Sequence, residues 1–329
     1  MVDKPLVSVV IANWNRKDDL REAIKSIYNQ TYKNIEIIVV DNHSTDGSIE
    51  MVRKEFPNVK LIVMPDSTYG ACETLNIGMA SASGEYIVVI DNDTILEKTW
   101  IELVVEKFKQ NEKVGIIGGK VINYYTRRVE WVYSRPEEEW VNREFKTSVF
   151  HGAAVALRKD VVDKVGYYPK EYFIYGNEFA LSAKVINAGY DIIYYPKLVA
   201  YHKANYIFKK SERLFYYSTR NTLQNILKYL PLRIAIKSLF VTLLGQIGAL
   251  LLLYRNYKYL KEYIKCLIYI VFKLPKIIKD RQPISNLEIL DYGVKGSLKE
   301  AINKLLRSYQ TIQRYKKLRE IKSIKESSK

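Results

Sequence analysis

Apolar positions near the start of the chain follow two alternating patterns. Short continuous runs rich in β-branched residues, at positions 7–11, 35–40, 59–64 and 86–90, predict buried strands. After the first run, apolar residues recur at helical spacing and Asp18 stands where a cap is expected, which predicts an amphipathic helix. Wholly apolar strands that alternate with helices predict an α/β fold with a parallel sheet and right-handed crossovers.

Polar residues follow three of these strands, where each strand gives way to a loop. They are Asn15, Asp41, Asn42, Asp91, Asn92 and Asp93. Ligands of parallel sheets bind beyond the carboxyl ends of the strands, so a ligand site is expected at this edge. Asp91 and Asp93 place two carboxylates one residue apart, which suits Mg²⁺ or Mn²⁺ but is also compatible with an ordinary polar turn.

The pattern is less regular in the next part of the chain. Residues 100–108 predict a helix, and residues 114–121 and 191–195 predict strands. Residues 131–150 predict irregular or hairpin structure.

A dinucleotide-binding dehydrogenase is the first alternative for such a sheet. Its first strand-to-helix turn is rich in glycine, so that the backbone can approach a pyrophosphate. Here the turn reads Ala12-Asn13-Trp14-Asn15-Arg16 and contains no glycine. This alternative is therefore rejected.

Four motifs, in this order along the chain, resemble those of the family 2 glycosyltransferases of GT-A fold. They are Val9-Val10-Ile11-Ala12-Asn13-Trp14-Asn15-Arg16, Val40-Asp41-Asn42-x-Ser44-x-Asp46-Gly47-Ser48, Asn76-x-Gly78 and Asp91-x-Asp93. Gly70 matches the first glycine of the family's Asn-x-Gly…Asn-x-Gly stretch, with Thr68 in place of its asparagine. The resemblance covers roughly residues 5–205 and implies a Rossmann-like mixed sheet that binds a nucleotide-diphospho-sugar.

The resemblance implies a donor site and a metal site. The residues expected at the donor site are Ala12, Asn13, Asn15, Asp41, Asn42, Gly70, Asn76, Asp91 and Asn92. Among them, Asp41 is expected to accept a hydrogen bond from the nucleotide base. Asp91, Asp93 and His202 are expected to hold Mg²⁺ or Mn²⁺, which neutralises charge on the leaving nucleoside diphosphate. His151 is expected to be structural.

The stretch from Tyr172 to Tyr190 resembles the family's Glu-Asp-x-Asp box, which carries the catalytic base. Aligned on Ala188-Gly189-Tyr190, Glu178 takes the position of the base, which is usually Asp. An inverting transfer needs a carboxylate that removes the proton of the acceptor hydroxyl, and Glu178 is expected to do so. Asn177 and Ala180 replace two acids of the box, which leaves open a catalytically degenerate module.

The positive charge of the chain lies in its C-terminal part. Residues 201–329 contain 27 Lys and Arg against 8 Asp and Glu, whereas the chain as a whole has a net charge of +16. Such an excess predicts a polyanionic partner, either an anionic membrane surface or nucleic acid. No recognisable nucleic-acid module with base-stacking aromatic residues accompanies it, so nucleic acid is not expected. The two cysteines provide no disulfide framework and favour a reducing compartment.

Two apolar segments follow residue 205, at positions 234–254 and 264–278. The first is just long enough to span a bilayer, but lysines and arginines on both flanks oppose a single crossing. We therefore expect a helical hairpin in the cytoplasmic leaflet, with a bundle or a homo-oligomer contact as the alternative. The tail beyond Leu298 has apolar residues at helical spacing and is expected to form a basic helix. Before these segments, Tyr216-Tyr217-x-x-Arg220-Asn221 resembles the rhamnosyltransferase-like members of the family.

These observations predict a catalytic domain at residues 1–205 and a basic helical region at residues 206–329. The expected function is metal-dependent inverting transfer of a sugar from a nucleotide-diphospho-sugar to a glycan or polyprenyl-linked acceptor, in cell-surface polysaccharide or glycoprotein glycan synthesis. The expected location is the cytoplasmic face of the cell membrane. The alternative is a degenerate GT-A module that acts as a membrane-associated scaffold.

Overall fold

The computed structural model describes residues 4–204, residues 211–285 and residue 290. The chain divides into two compact units. The first unit comprises Met1–Phe208 and Gln282–Val294, and the second comprises Lys209–Arg281 and Lys295–Lys329.

The start of the first unit alternates strands with helices. Its elements are β1 (Val7–Asn13), α1 (Lys17–Tyr28), β2 (Ile35–Asp41), α2 (Ser48–Glu55), β3 (Lys60–Val63), α3 (Ala71–Ala80) and β4 (Tyr86–Asp91). The four strands are parallel and lie in the order β3-β2-β1-β4. All four predicted strands are present. The apolar runs of β1, β2 and β4 are largely buried, as is usual for inner parallel strands, whereas β3 at the edge of the sheet is partly exposed.

The rest of the first unit adds antiparallel strands. Its elements are β5 (Thr94–Leu96), α4 (Trp100–Gln110), β6 (Val114–Asn123), α5 (Glu137–Trp140), β7 (Phe145–Lys146), β8 (Ala154–Arg158), α6 (Lys159–Val165), α7 (Asn177–Asn187) and β9 (Asp191–His202). The full order is β3-β2-β1-β4-β8-β6-β9-β5, with β7 also paired to β9. The sheet of nine strands is therefore mixed, as expected for a GT-A fold.

Strand β9 is much longer than the predicted strand at residues 191–195. It pairs in parallel with β6, and the register shifts between Gly118 and Lys120. Pro196 lies opposite this irregularity, where a residue without an amide hydrogen is tolerated. The longer strand ends at His202, which pairs with Thr94 just beyond β4. This register brings His202 to the carboxyl end of β4.

The core of the first unit lies between the sheet and its helices. Trp100, Tyr86 and Phe108 are among the largest fully buried side chains, and the rings of Tyr86 and Phe108 stack with centroids 4.7 Å apart. Burial of each such side chain contributes about 1.5–3 kcal/mol to stability. This core fixes the strand ends that carry the polar residues.

The start of α1 corrects one prediction. Asp18 does not cap the helix, because α1 already begins at Lys17. The cap comes instead from Asp46, whose carboxylate accepts from the Lys17 amide at 2.8 Å and from the Ser48 amide at 3.0 Å. Asp46 therefore joins the starts of α1 and α2.

The described part of the second unit is helical. It contains α8 (Glu212–Tyr229), α9 (Leu232–Ala249), a π-helical turn (Leu250–Tyr254) and α10 (Tyr257–Lys279). Arg220 is buried in α8, where its guanidinium lies over the rings of Tyr216, Tyr217 and Tyr269. The Tyr-Tyr…Arg-Asn motif thus contributes to packing inside this unit. The predicted basic helix beyond Leu298 lies outside the described residues.

An apolar surface runs along α9 and α10. Its exposed side chains are Leu232, Ile236, Phe240, Leu244, Ile247 and Leu251 on the first helical stretch, and Tyr257, Leu260, Ile264, Ile268, Val271, Phe272 and Ile278 on the second. Within the described residues, Leu232–Tyr254 is the stretch that is long and apolar enough to cross a membrane, by length and composition only. The most apolar 18 consecutive residues of this stretch have a mean hydropathy of 1.9, and 6% of them are buried.

Candidate active site

The carboxyl ends of β1, β2 and β4 are joined through Asn13. The Asn13 side-chain amide donates to Asp41 Oδ2 at 2.7 Å, and its carbonyl accepts from Asn92 Nδ2 at 2.7 Å. The strand register places Asn13 opposite Asp41, and Ala12 lies opposite Asp91. These predicted donor-site residues therefore lie together at one edge of the sheet.

Asp41 is buried and engaged by its own loop. Its two carboxylate oxygens accept from the Ser44 amide at 2.7 Å and from the Ser44 hydroxyl at 2.9 Å, in addition to Asn13. Asn15 adopts a left-handed backbone with φ 50°, and its side chain accepts from the Thr45 amide at 2.8 Å. Both residues order the loops after β1 and β2. A contact between Asp41 and a nucleotide base stays a prediction.

Three other predicted donor-site residues hold neighbouring loops. Asn42 Nδ2 donates to the carbonyl of Tyr69, at 3.0 Å. The Asn76 side chain makes two hydrogen bonds with the backbone of Tyr168: its Nδ2 donates to the carbonyl at 2.9 Å, and its Oδ1 accepts from the amide at 3.0 Å. A Cβ placed on Gly70 would lie 2.6 Å from the carbonyl oxygen of Phe173, so only glycine lets that backbone approach. Gly70 and Asn76 thus fix the loop that leads to α7.

Asp91, Asp93 and His202 form the candidate metal site. One ligand atom from each lies within 4.8 Å of the others. His202 Nε2 is 3.3 Å from Asp93 and 3.7 Å from Asp91. Two carboxylates and an imidazole are a donor set that Mn²⁺ accepts and Mg²⁺ tolerates, so these residues fit a divalent ion.

The charges of this site also fit a cation. Burial alone lowers the pKa of His202, but its hydrogen bonds to Asp93 and Glu130 raise the pKa to about 10. Burial opposes ionisation of Asp93, yet the hydrogen bond and charge of His202 hold its pKa below the usual range. Asp91 has a side chain that is 48% exposed, but surrounding protein still desolvates it and raises its pKa to about 6. Asp91 and Asp93 therefore concentrate negative charge at a place where a cation would be stabilised.

Sequence reasoning missed Glu130. This carboxylate lies 2.8 Å from His202 Nδ1 and 3.2 Å from His151 Nε2, and it accepts from Asn123 Nδ2 at 3.0 Å. Glu130 follows a turn after β6, in a stretch without a motif, so no local signal marks it. His151, expected to be structural, contacts the same carboxylate.

Glu178 is the second residue of α7 and is partly buried. A tight turn precedes it, in which Tyr175 and Gly176 have φ angles of 69° and 73°. A Cβ on Gly152 would lie 2.7 Å from Glu178 Oε1, so this glycine leaves room for the carboxylate. Desolvation raises the pKa of Glu178, the charge of Asp91 raises it further, and His151 opposes both. Glu178 therefore lies close enough to the Asp91 end of the site to sense its charge.

The other two positions of the predicted box differ in character. Asn177 is buried, and its side chain lowers the pKa of Glu178. Ala180 is completely buried. Of these three positions, Glu178 alone offers a carboxylate.

Residues 8–166 match the family model described as Glycosyl transferase family 2. This match and the names of the relatives support a family 2 glycosyltransferase domain in this chain. One relative, an uncharacterized glycosyltransferase of Haemophilus influenzae, is 36% identical over 121 residues, which cover 36% of this chain and 37% of the relative. The probable glycosyltransferase YdaM of Bacillus subtilis is 26% identical over 223 residues, which cover 62% of this chain and 52% of that protein.

A third relative of the glycosyltransferase domain has a more specific name. It is the UDP-Glc:alpha-D-GlcNAc-diphosphoundecaprenol beta-1,3-glucosyltransferase WfaP of Escherichia coli, 33% identical over 136 residues, which cover 40% of this chain and 53% of WfaP. The matched parts of these three relatives range from 37% to 53% of their own lengths.

Two solved structures are similar in fold to this chain. The mannosyltransferase PcManGT of Pyrobaculum calidifontis, in complex with GDP-Man and Mn²⁺, has a TM-score of 0.55 at 18% identity and covers 95% of this chain and 85% of its own. TarS 1-349 of S. aureus, in complex with UDP, has a TM-score of 0.59 at 18% identity and covers 95% of this chain and 91% of its own. At these identities the likeness supports the fold alone.

Proposed function

We propose that this protein is a metal-dependent inverting glycosyltransferase that uses a nucleotide-diphospho-sugar donor. The observation that carries the proposal is the grouping of Asp91, Asp93 and His202 at the carboxyl end of β4, with Glu178 on α7 near Asp91. The network of Asn13, Asp41 and Asn92 borders the same edge, where a sheet of this type receives its ligand.

The metal ligands in this proposal are Asp91, Asp93 and His202. When bound, a divalent ion supplies positive charge that stabilises the leaving diphosphate. Arg16, whose guanidinium is 3.9 Å from Asp93, adds a second positive group at this edge. Asn13 links the side chains of Asp41 and Asn92 beside the proposed donor site.

Glu178 is the proposed general base. As the acceptor oxygen attacks the anomeric carbon, Glu178 takes the hydroxyl proton and the bond to the diphosphate oxygen breaks on the opposite face. A partly buried carboxylate with a raised pKa is a stronger base than an exposed one, provided that it is ionised at the working pH. The side chain of Asn177 lowers the pKa of Glu178 and so favours its ionised form.

The proposed acceptor is a glycan or a polyprenyl-linked sugar at the cytoplasmic face of the membrane. The name of WfaP, which specifies a diphosphoundecaprenol acceptor, supports this choice. The apolar surface of α9 and α10 and the excess of lysine and arginine after residue 200 support an anionic membrane as a partner. A homo-oligomer through these helices is the other way to cover this surface. Membership of the rhamnosyltransferase-like subgroup stays a prediction.

A donor screen tests the function. The full-length protein is incubated with MnCl₂, single UDP- or GDP-sugars and a polyprenyl-diphosphate-linked acceptor, and release of nucleoside diphosphate is measured. We expect one donor to be consumed, and EDTA to stop the reaction. Failure of every donor to bind or react would favour the catalytically degenerate scaffold, which the replacement of acids by Asn177 and Ala180 keeps as the second candidate.

A further inference from the structure

Glu130 is contacted by polar side chains from three sides. Its Oε2 lies 2.8 Å from His202 Nδ1 and 3.2 Å from His151 Nε2, while its Oε1 accepts from Asn123 Nδ2 at 3.0 Å. The Glu130 side chain is only 7% exposed. A buried carboxylate with these contacts has little freedom to turn away.

The backbone around Glu130 is equally constrained. Its amide donates to the carbonyl of Val121 at 2.9 Å, which ties it to β6. The side-chain Oδ1 of Asn123 accepts from the Thr126 amide at 2.9 Å, so its Nδ2 must face Glu130. Asn123 is also the register partner of His202 across β6 and β9. The turn after β6 therefore presents Glu130 to the histidine that ends β9.

The hydrogen bonds define which ring nitrogens carry protons. The Ala153 amide donates to His151 Nδ1 at 3.2 Å, so His151 carries its proton on Nε2, the nitrogen that lies 3.2 Å from Glu130. An ionised carboxylate only accepts hydrogen bonds, so His202 must also donate, from Nδ1. In the neutral ring the lone pair then lies on Nε2. That atom is the one that faces Asp93 and Asp91, at 3.3 and 3.7 Å.

We infer that Glu130 is a positioning residue that fixes the ring orientation and tautomer of His202, so that Nε2 is presented to a divalent ion beside Asp91 and Asp93. The inference rests on the proposed function, because it presupposes the metal site. Histidine ligands of metals commonly donate their other ring N–H to a carboxylate, and loss of that partner reduces metal affinity about 10–100-fold. Glu130 acts through His202 and does not touch the ion itself.

Binding of Mn²⁺ to the full-length protein tests this role without any substrate. Affinity is measured by the loss of the free-ion signal in electron paramagnetic resonance during titration with MnCl₂ alone. Coordination by imidazole is read from the ¹⁴N modulation of the bound ion. We expect Glu130→Ala to weaken binding about 10–100-fold and to diminish the ¹⁴N signal. Glu130→Gln keeps an acceptor oxygen without the charge, so it should retain the ¹⁴N signal at intermediate affinity, and it decides the test if the alanine variant does not fold.

Two controls isolate the route through His202. Glu22→Ala removes a carboxylate that pairs with Lys203, the neighbour of His202, at 2.8 Å and should leave Mn²⁺ affinity unchanged. In a His202→Ala background, Glu130→Ala should cause less than about a twofold further loss, since the partner on which it acts is gone.

The outcomes separate this inference from the proposed function. If wild-type protein binds Mn²⁺ with a ¹⁴N signal and the Glu130 variants do the same at equal affinity, the positioning role is wrong and the metal site stands. If Glu130→Ala reduces Mn²⁺ affinity equally in the wild-type and the His202→Ala backgrounds, the positioning role is also wrong. If wild-type protein binds no Mn²⁺, the metal site of the proposed function fails together with the inference.

Discussion

The imidazole of His202 has carboxylates on both of its nitrogens. Asp93 and Asp91 face Nε2, and Glu130 faces Nδ1. Such a grouping is unfavourable unless a positive charge is present, which explains why the pKa of His202 rises to about 10 despite burial. A divalent ion can take over this neutralising role at the Nε2 side. The carboxylates of Asp91, Asp93 and Glu130 around one imidazole therefore favour the binding of a cation at this site.

Among single-residue changes, Asp93→Ala is the direct test of the metal site. The variant removes one proposed ligand, and metal ions supply several kcal/mol of transition-state stabilisation, so transfer should fall by about 100-fold or more. Turnover is compared at increasing MnCl₂. His202→Ala should be less severe, because both carboxylates remain. Near-normal turnover of Asp93→Ala would exclude Asp93 as a ligand.

Glu178→Gln tests the proposed base. The amide preserves size and hydrogen bonding but does not accept a proton, so kcat should fall about 10²–10⁴-fold with donor affinity nearly unchanged. Desolvation raises the pKa of Glu178, so the base is protonated as the pH falls through a value above that of an ordinary glutamate. The kcat of the wild-type protein should therefore decrease as the pH falls through that value. The residual kcat of the variant should show no such decrease on the acid side. A variant with normal kcat would remove Glu178 from the mechanism.

Among the elements, strand ends were easier to predict than the segments between them. Continuous apolar runs that stop at polar residues predict Asn15, Asp41 and Asp91 at one edge, and β1, β2 and β4 do end together there, because they are parallel. The far end of β9 was missed because Pro196 interrupts its pattern, and a register shift absorbs it. Glu130 was missed because its partners come from tertiary pairing, which leaves no periodic signal.

Two motif residues at helix α3 have structural contacts of their own. Gly70 and Asn76 hold the backbone of Phe173 and Tyr168, while their contact with the donor stays a prediction. That backbone leads directly into α7 and Glu178. The element that carries the proposed base thus depends on α3 for its place.

Gly70→Ala tests this dependence. The added methyl would lie 2.6 Å from the Phe173 carbonyl oxygen and displace the loop, so kcat should fall about tenfold or more, since small misplacements of catalytic groups are costly. The KM for the donor should change less. Gly245→Ala is the matched control, because a methyl there meets nothing within 4 Å. A rise in donor KM with unchanged kcat would instead favour direct donor binding by Gly70.

For the molecule as a whole, charge and apolar surface occur in the same part of the sequence. The exposed apolar side chains of α9 and α10 recur at helical spacing, and lysines of α10 lie among them in the chain. An interfacial helix combines such an apolar stripe with basic residues that meet anionic headgroups. These features support the proposal that the helical unit binds an anionic membrane.

Point substitutions on this surface test the membrane role. Phe240 and Phe272 are 60% and 80% exposed, so Phe240→Asp and Phe272→Asp should leave the fold intact. Each should weaken binding to vesicles that contain anionic lipid by about tenfold or more, because a charge replaces a large apolar group at the lipid boundary. Val132→Asp, at another exposed apolar position, is the control.

Sedimentation with vesicles is measured at low and high salt. Binding of the wild-type protein should weaken as salt increases, because lysines contribute to it. Equal vesicle binding by all variants would contradict the membrane role. A dimer in sizing experiments without lipid, lost in Phe240→Asp and Phe272→Asp, would instead favour an oligomer contact at this surface.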